Sequence, residues 1–384
     1  MKSVCYLKSL DQIDLFVKEG VNEVILATTL FSRVGFLSRE DLLKAFDALA
    51  GTGIRLIFEW DILMTEDVFQ TTVREFESLD LTRVDSFRLI DPGAISYILK
   101  NDKRPIQINL ESSAFHNLLA IKTWLKTIGS RVERIVLSLE LDKDTISEYV
   151  NELDIDVEYL VIGKILLFYT PRNLLTPIVN EPSNKEWIEV NANSEESPHK
   201  GFPIIENRHG TFMFNTKDHF LLDYIEEVES TGVGFIRVDS RFIDDDYLKE
   251  VFRLFRKPEN VLGKSLKERY PVSTIRGFFH KNKSDVLFKK LKNHRLIRTD
   301  KNYLGEVIEV SKKNHIGIFI RSHITNLIVG STVLLITPDG KEKESVVTSL
   351  VNSVGENISS LSYGDIIFIP HVSGISVRTN VYLA

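Results

Sequence analysis

Charged side chains follow the short apolar runs that recur along the first two thirds of this 384-residue chain. They are Glu59, Asp61, Asp91, Glu111, Glu140, Asp239 and Arg241. When carboxyl groups are buried near one another, some of their pKa values rise unless cations lie beside them. The chain offers Arg172, Arg237 and Arg241 as such cations. These residue types therefore indicate a site of carboxylates balanced by arginine.

Four of these residues are predicted to lie around one pocket and to be catalytic: Asp91, Glu140, Asp239 and Arg241. Arginine stays protonated, so we expect Arg241 to neutralise a carboxylate or to hold an anionic ligand rather than to act as a base. A structural role stays open for the carboxylates taken singly. Asp91 would then cap the helix that follows it, and Glu140 would pair with a surface lysine.

A (β/α)8 TIM-like barrel is the α/β fold that would bring these positions to one face. Eight apolar runs alternate with segments such as Ser38–Leu49, in which apolar residues recur every three or four positions. Strands that alternate with helices form parallel sheets, and the active sites of closed barrels lie at the carboxyl ends of their strands. A doubly wound open sheet is the structural alternative. The predicted strands are Val4–Leu7, Glu23–Ala27, Arg55–Trp60, Ser86–Ile90, Ile106–Leu110, Arg134–Leu139, Glu158–Ile162 and Phe235–Asp239.

Changes in composition divide the chain into three regions. Residues 1–256 are predicted to form the barrel domain, with a proline-rich excursion at 171–206, and residues 257–302 a basic linker. Residues 303–384 are predicted to form a small all-β, barrel-like C-terminal domain, because short runs rich in Val and Ile are separated there by turn signals. Its predicted strands are Tyr303–Val310, Ile316–Ile320, Thr332–Thr337, Ser345–Val351, Asp365–Ile369 and Ile375–Leu383.

Positive charge is concentrated around the linker. The net charge of the chain is −6, yet 18 Lys and Arg residues stand against 6 Asp and Glu residues between Arg253 and Arg321. Aromatic residues are interleaved with them, which favours phosphate contact and base stacking in RNA. The alternatives are a solvated lysine-rich linker or pairing with the acidic barrel. The predicted RNA-binding residues are Arg276, Lys281, Lys283, Lys289, Lys290, Arg295 and Arg298.

The cysteine content limits the cofactors that the chain can hold. Cys5 is the only cysteine, so the chain alone forms neither a disulfide nor a four-thiolate zinc or iron–sulfur site. No apolar stretch reaches the roughly 18 residues of a membrane-spanning helix, and the N-terminus lacks the apolar core of a signal peptide. We therefore expect a cytoplasmic protein with no cofactor and no membrane partner.

Several of the same residues stand in motifs that resemble a known family. The matching segments are Asp91–Gly93, Val136–Leu141, Val161–Leu175, Arg237–Arg241, Thr274–Phe279 and Tyr303–Val307. The first is similar to the family's Asp-Pro-Gly, the second to its Val-Leu-Ser-Arg-Glu-Leu and the fourth to its Lys-Ile-Glu-Gly-Arg. In their order and spacing these segments resemble the collagenase-like peptidases of family U32 over nearly the whole chain.

The resemblance implies a TIM-like barrel followed by a β domain. It adds Tyr169 and Arg172, at the rim of the pocket, to the predicted catalytic residues. Members of the family are peptidases, or take part in hydroxylating transfer-RNA uridine, ribosomal-RNA cytidine or a ubiquinone precursor. The latter commonly hold an iron–sulfur cluster through four cysteines. Two of those cysteine positions fall at Leu166 and Asn173 in this chain, so no cluster is expected from this chain alone.

An RNA-directed protein is the predicted function. It would take part in hydroxylation-type modification of tRNA or rRNA, as an enzyme or as an accessory subunit, with structured RNA as its partner. The first alternative is a peptidase that hydrolyses peptides. The second is a non-catalytic paralogue that binds a protein partner of the same family, because lost cluster ligands are what a decayed active site would show.

Overall fold

The structure is a computed structural model that describes residues 1–111, 117–179, 187–193, 200–280, 302–323 and 326–384. The chain divides into two compact units, Met1–Asp285 and Val286–Ala384. The first unit extends beyond residue 256, where the sequence analysis ends the barrel domain. The reason is that the helix Asn260–Arg269 packs against the short 3-10 helix Leu222–Tyr224 of the same unit.

Eight parallel strands of the first unit form a closed barrel. Each strand pairs with the next along the chain, and the last pairs with both the first and the seventh, which closes the ring. This closure confirms the TIM-like barrel and excludes the doubly wound open sheet. The barrel strands are β1 (Lys2–Tyr6), β2 (Glu23–Leu26), β3 (Arg55–Trp60), β4 (Ser86–Leu89), β5 (Ile106–Asn109), β6 (Val132–Val136), β7 (Asp156–Gly163) and, after an inserted sheet, β13 (Phe235–Val238).

Helices follow most barrel strands and cover the outside of the barrel. Helix α2 (Arg39–Leu49) begins with a capping box, in which Ser38 Oγ accepts from Asp41 N at 3.0 Å and Asp41 Oδ2 accepts from Ser38 N at 3.0 Å. The helices are α1 (Ile13–Glu19), α2 (Arg39–Leu49), α3 (Glu66–Glu77), α4 (Pro92–Asn101), α5 (Leu118–Ile128), α6 (Lys143–Glu152), α7 (Thr176–Val179), α8 (Ile225–Ser230), α9 (Asp245–Arg256) and α10 (Asn260–Arg269). Short 3-10 helices occupy Leu10–Gln12, Leu222–Tyr224 and Ser240–Phe242.

Side chains alternate along each barrel strand between the barrel interior and the helical layer. Those that face the helices are apolar, for example Val24, Phe58 and Ile135, and belong to the main buried core. The interior holds one small apolar cluster together with many charged groups, whereas branched aliphatic side chains usually fill such barrels. The charged interior residues are Glu23, Glu59, Arg88, Arg134, Glu158 and Arg237.

A four-stranded antiparallel sheet is inserted between β7 and β13. Its strands are β8 (Leu166–Thr170), β9 (Trp187–Asn193), β10 (Lys200–Asn207) and β11 (Gly210–Phe214), in the order β8-β11-β10-β9. The proline-rich segment 171–206 therefore contributes strands as well as loop. Two further strands extend the barrel sheet: β12 (Asp218–Phe220) runs antiparallel to β7, and β14 (Thr274–Ile275) runs parallel to β12.

The second unit is a seven-stranded antiparallel sheet over its own apolar core. Its strands are β15 (Tyr303–Ser311), β16 (His315–Ile320), β17 (Thr332–Ile336), β18 (Glu342–Val346), β19 (Val351–Asn352), β20 (Ile366–Pro370) and β21 (Asn380–Leu383), in the order β18-β17-β21-β15-β16-β20-β19. The predicted strand Ser345–Val351 is wrong, because β18 ends at Val346 and β19 begins at Val351. Across the described parts of the chain, no helix has the length and apolar character needed to span a membrane.

Candidate active site at the barrel mouth

A polar pocket lies at the carboxyl ends of the barrel strands. We call it the barrel-mouth pocket; its volume is about 60 Å³, enough for a few water-sized groups. Barrel strands, the loop between β2 and α2, and the inserted sheet all contribute to its wall. The lining residues are Tyr6, Arg33, Val34, Asp61, Asn109, Glu111, Lys164, Leu166, Phe212, Phe214, Arg237, Asp239 and Arg241.

Asp239 and Arg241 form a two-pronged ion pair at the end of β13. Arg241 Nε donates to Asp239 Oδ1 at 2.7 Å and Nη2 donates to Oδ2 at 2.8 Å. The remaining Nη1 donates to the carbonyl of Val34 at 2.7 Å, and the guanidinium lies 3.7 Å from the centre of the Tyr6 ring. Burial alone would raise the pKa of Asp239, but the charge and hydrogen bonds of Arg241 hold it below its ordinary value. Arg241 therefore neutralises a buried carboxylate.

Gly163 allows Asp239 to occupy its position. A Cβ atom on Gly163, at the end of β7, would lie 2.7 Å from the Cβ of Asp239, closer than real Cβ contacts approach. The missing side chain thus lets two adjacent strands, β7 and β13, bring the carboxylate to the pocket wall.

Tyr6 and Glu59 form a buried acid pair beside the pocket. Tyr6 Oη donates to Glu59 Oε1 at 2.8 Å, and both side chains are enclosed by the barrel. Burial, reinforced by the negative charge of Asp61, raises the pKa of Glu59 to about 7. The other carboxyl oxygen, Oε2, has no hydrogen-bond partner among the residues described. Glu59 is therefore suited to take up and release a proton near neutral pH.

A network of buried charges lies below the pocket. Glu158 Oε2 accepts from Arg88 at 2.5 Å and from Arg134 at 3.1 Å, while Oε1 lies 3.1 Å from Arg237 Nε. Arg134 also makes a bidentate pair with Glu23, at 2.7 and 2.8 Å. Removing one partner from such a network leaves an uncompensated buried charge. The network thus holds Arg237 in place in the wall of the pocket.

Two further cations line the pocket in different ways. Arg33 is held by Asp61, whose carboxylate accepts from the Arg33 backbone N at 2.7 Å and from Nε at 3.0 Å. Lys164 makes no ion pair within the described residues, and its Nζ lies 5.1 Å from the Phe242 ring centre and 5.9 Å from that of Phe214. Lys164 is thus the pocket cation most available to a bound anionic group.

The structure brings together three of the six predicted catalytic residues. Asp239 and Arg241 line the barrel-mouth pocket. Tyr169 stands behind its wall, where its ring stacks on Phe212 with centres 4.8 Å apart and the Arg33 guanidinium lies 5.5 Å from its centre. Tyr169 therefore positions lining residues.

Asp91, Glu140 and Arg172 are not among the lining residues. Asp91 Oδ1 accepts from Ala94 N at 3.0 Å and so caps α4, the structural role left open above. Glu140 is exposed on the loop between β6 and α6. Arg172 is exposed in the turn after β8, and its carbonyl accepts from Thr211 Oγ1 at 2.7 Å.

Most of the predicted RNA-binding residues fall outside the described residues. These are Lys281, Lys283, Lys289, Lys290, Arg295 and Arg298. Arg276 is described and exposed, directly after β14. Arg276 is therefore the one predicted RNA-binding residue that lies in the described part of the chain, and its side chain is open to solvent.

The sequence prediction lacks several lining residues, among them Tyr6, Arg33 and Lys164. Tyr6 lies within the apolar run Val4–Leu7, so the sequence pattern does not distinguish it from an ordinary core tyrosine. Arg33 and Lys164 stand in loops, where a charged residue carries no positional signal. The position of Glu59 between the apolar residues Phe58 and Trp60 of β3 was the sequence signal for a buried carboxyl group.

The residues present do not fit the four-cysteine iron–sulfur cluster that the family resemblance suggests. Leu166 is an apolar lining residue of the barrel-mouth pocket, and Asn173 is exposed. Cys5 is fully buried in the core between the barrel and its helices, so its thiol does not face the pocket. Within the described ranges, no group of three or more His, Cys, Asp or Glu residues is placed to hold a metal ion.

This chain is similar to one protein family and to three proteins that share the name tRNA hydroxylation protein. The model of peptidase family U32 matches residues 8–294. The chain is 20% identical over 362 residues to the tRNA hydroxylation protein P of Haemophilus influenzae, covering 78% of this chain and 77% of that protein. It is 21% identical to the tRNA hydroxylation protein P of Escherichia coli, covering 71% of each. It is 22% identical to the tRNA hydroxylation protein P2 of Bacillus subtilis, covering 58% of this chain and 73% of that protein.

Proposed function

This chain belongs to peptidase family U32, and from that premise we propose that it takes part in the hydroxylation of tRNA. The observation that carries the proposal is that all three curated relatives described above are named tRNA hydroxylation proteins. Structured RNA is then the partner, and the cytoplasm is the compartment in which the protein works.

The barrel-mouth pocket supports a catalytic rather than an accessory part in that modification. Glu59, with a pKa of about 7, is able to hold or release a proton. Tyr6 lines the pocket and is hydrogen-bonded to that acid. Lys164 offers a positive charge that is not committed to an ion pair within the described residues. Together they form a site that binds a polar group and moves a proton.

We further propose that the chain works without an iron–sulfur cluster of its own. Leu166 and Asn173 replace two expected ligands, and Cys5 is the only thiol. The chemistry that a cluster would supply therefore comes from elsewhere, and the residues of this chain bind and orient the substrate.

Peptide hydrolysis, the alternative function, receives less support from the site. The described residues that line the barrel-mouth pocket include no Ser, Thr, Cys or His. A covalent peptidase needs a nucleophile within hydrogen-bond reach of a base, and no such pair is present there.

The proposal is tested by mass spectrometry of tRNA nucleosides from a strain that lacks the gene. We expect loss of a hydroxylated nucleoside, restored by the wild-type gene on a plasmid. A complete nucleoside profile in the deletion strain would overturn the tRNA function.

A lysine variant then decides whether the pocket is catalytic. Lys164→Ala is expected to restore about tenfold less modified nucleoside than the wild type, because a charged contact to the substrate is lost. Lys217→Ala, a change to an exposed lysine just before β12, is the matched control and should restore the full amount. Full restoration by both variants would assign the protein an accessory part.

A further inference from the structure

A second cavity lies on the other side of the loop that joins β2 to α2. Its volume is about 500 Å³, within the usual range for small-molecule sites. We call it the aromatic cleft; it is lined by Thr29, Ser32, Gly35, Phe36, Trp187, Asn207 and Arg208. It differs from the barrel-mouth pocket in being larger and in having aromatic walls.

Two aromatic rings form the apolar wall of the aromatic cleft. The ring centres of Phe36 and Trp187 are 5.3 Å apart with their planes inclined at 43°, so the rings do not stack face to face. Both side chains are half-buried, which leaves part of each ring open to the cavity. A flat aromatic group entering the cleft would therefore meet an aromatic surface.

Hydrogen bonds hold the polar wall in place. Asn207 Nδ2 donates to the carbonyl of Arg33 at 2.8 Å, and Asn207 Oδ1 accepts from His209 N at 2.9 Å. His209 Nε2 lies 2.8 Å from the carbonyl of Thr29. These contacts tie the turn between β10 and β11 to the β2–α2 loop, so the cavity is formed before any ligand binds.

The described charged groups at the aromatic cleft are cationic. Arg208 is exposed, and within the described residues its guanidinium has neither a hydrogen bond nor an ion pair. Lys8 Nζ lies 6.0 Å from the centre of the Phe36 ring. No Asp or Glu is among the described residues that line the cleft. Open aromatic surface beside unpaired cations suits a polyanion with flat bases.

The two cavities share the β2–α2 loop as a wall. Arg33 and Val34 line the barrel-mouth pocket, while Ser32, Gly35 and Phe36 line the aromatic cleft. The loop is closely packed at Gly35, where a Cβ atom would lie 2.0 Å from the carbonyl oxygen of Thr28. A strand that offers one nucleotide to the pocket would therefore pass its neighbour over the cleft.

We propose that the aromatic cleft binds an unstacked base of single-stranded RNA, adjacent to the nucleotide presented to the barrel-mouth pocket. Trp187 stacks on the base, and Arg208 contacts its phosphate. This inference rests on the proposed tRNA function and adds to it a binding site for the neighbouring nucleotide.

The test measures the affinity of the full-length chain for a fluorescein-labelled oligouridylate of about 12 nucleotides, for a duplex RNA of equal length and for unfractionated tRNA. Trp187→Ala is expected to weaken binding of the oligouridylate about tenfold, while Trp187→Phe, which retains a ring, stays close to wild type. Trp124→Ala is the matched control, because Trp124 lies in α5 and lines neither cavity. Its affinity should equal that of the wild type.

A second variant covers the case in which Trp187→Ala disturbs folding. Arg208→Ala changes an exposed side chain and should weaken binding while reducing the log–log salt slope by about 0.7. Wild-type affinity in both Trp187→Ala and Arg208→Ala, or an equal loss on duplex RNA, would overturn the cleft inference and leave the tRNA function standing. Absence of RNA binding by the wild type would remove the RNA function together with this inference.

Discussion

Tyr6 connects the acid and the arginines of the barrel mouth. Its hydroxyl donates to Glu59 and accepts from Arg237 Nη1 at 3.2 Å, and its ring lies beneath the Arg241 guanidinium. One tyrosine therefore couples the protonation of Glu59 to the charges that line the pocket. The effects of substitutions at these residues on stability are therefore not expected to be additive, because the residues share one hydrogen-bonded network.

Glu59→Gln should make stability less dependent on pH. The pKa of Glu59 is raised from 4.5 to about 7 in the folded protein. Between these values the folded state retains a proton that the unfolded state releases, so wild-type stability falls as pH rises through this window. We expect the free energy of unfolding of Glu59→Gln relative to wild type to increase by about 2–3 kcal/mol from pH ~5 to pH ~8.

Urea denaturation at the two pH values measures this difference. Glu140→Gln is the control, because Glu140 is exposed outside the pocket. If the difference in free energy of unfolding between Glu59→Gln and wild type stays constant with pH, Glu59 is already ionised at pH ~5 in the folded protein.

The sequence analysis named Asp239 and Arg241 but not Tyr6, Arg33 and Lys164, which line the same pocket. Asp239 and Arg241 were predictable because Asp239 ends the strand-like run Phe235–Asp239 and Arg241 comes two residues later. The roles of Asp91 and Glu140 were not, because a carboxylate after a strand caps a helix or faces solvent as readily as it enters a pocket. Side-chain direction, which the sequence does not give, separates these cases.

At the scale of single elements, substitutions of Asp91, which caps α4, separate a structural role from a catalytic one. Asp91→Ala should lower the free energy of unfolding by about 1 kcal/mol, because the hydrogen bond to Ala94 N is lost. Asp91→Asn keeps a good cap and should be close to wild type in both thermal stability and tRNA modification. Loss of modification in Asp91→Asn, with stability retained, would instead make Asp91 catalytic.

The barrel strands were predictable because apolar residues alternate or run continuously in each of them. The inserted sheet was not, since proline usually interrupts a strand. Pro203 nevertheless lies within β10, opposite Asn191 of β9. In the second unit Val347 and Leu350 continue the apolar pattern past Val346, which extended the predicted strand beyond the end of β18.

At the scale of the whole molecule, the uneven distribution of charge predicts a salt-dependent contact with RNA. Reversing four lysines that lie outside the described residues, Lys281, Lys283, Lys289 and Lys290, to glutamate should abolish tRNA binding and leave the melting temperature unchanged. The physical reason is that each phosphate contact releases condensed counterions, with a log–log slope of about −0.7 per contact on single strands. Gel-shift titrations at two salt concentrations, paired with thermal melts, give both quantities.

The control for this variant reverses four exposed lysines on the barrel: Lys18, Lys100, Lys103 and Lys126. It carries the same change in net charge and should keep its affinity for tRNA. A lower melting temperature with unchanged RNA affinity in the first variant would mean that those lysines pair with the acidic barrel.

The ionic contacts inside the barrel also bear on how the chain is assembled during synthesis. Glu23 of β2 pairs with Arg134 of β6, and Arg88 of β4 pairs with Glu158 of β7, so each pair joins strands far apart in the sequence. In a nascent chain that has exposed only its first four strands, Arg55 of β3 is available to Glu23, but Arg134 and Glu158 have not yet been made. Arg88 must therefore stay hydrated until β7 emerges, and Arg237 arrives later still. We therefore expect the barrel interior to lose its water late, once β7 has joined the sheet.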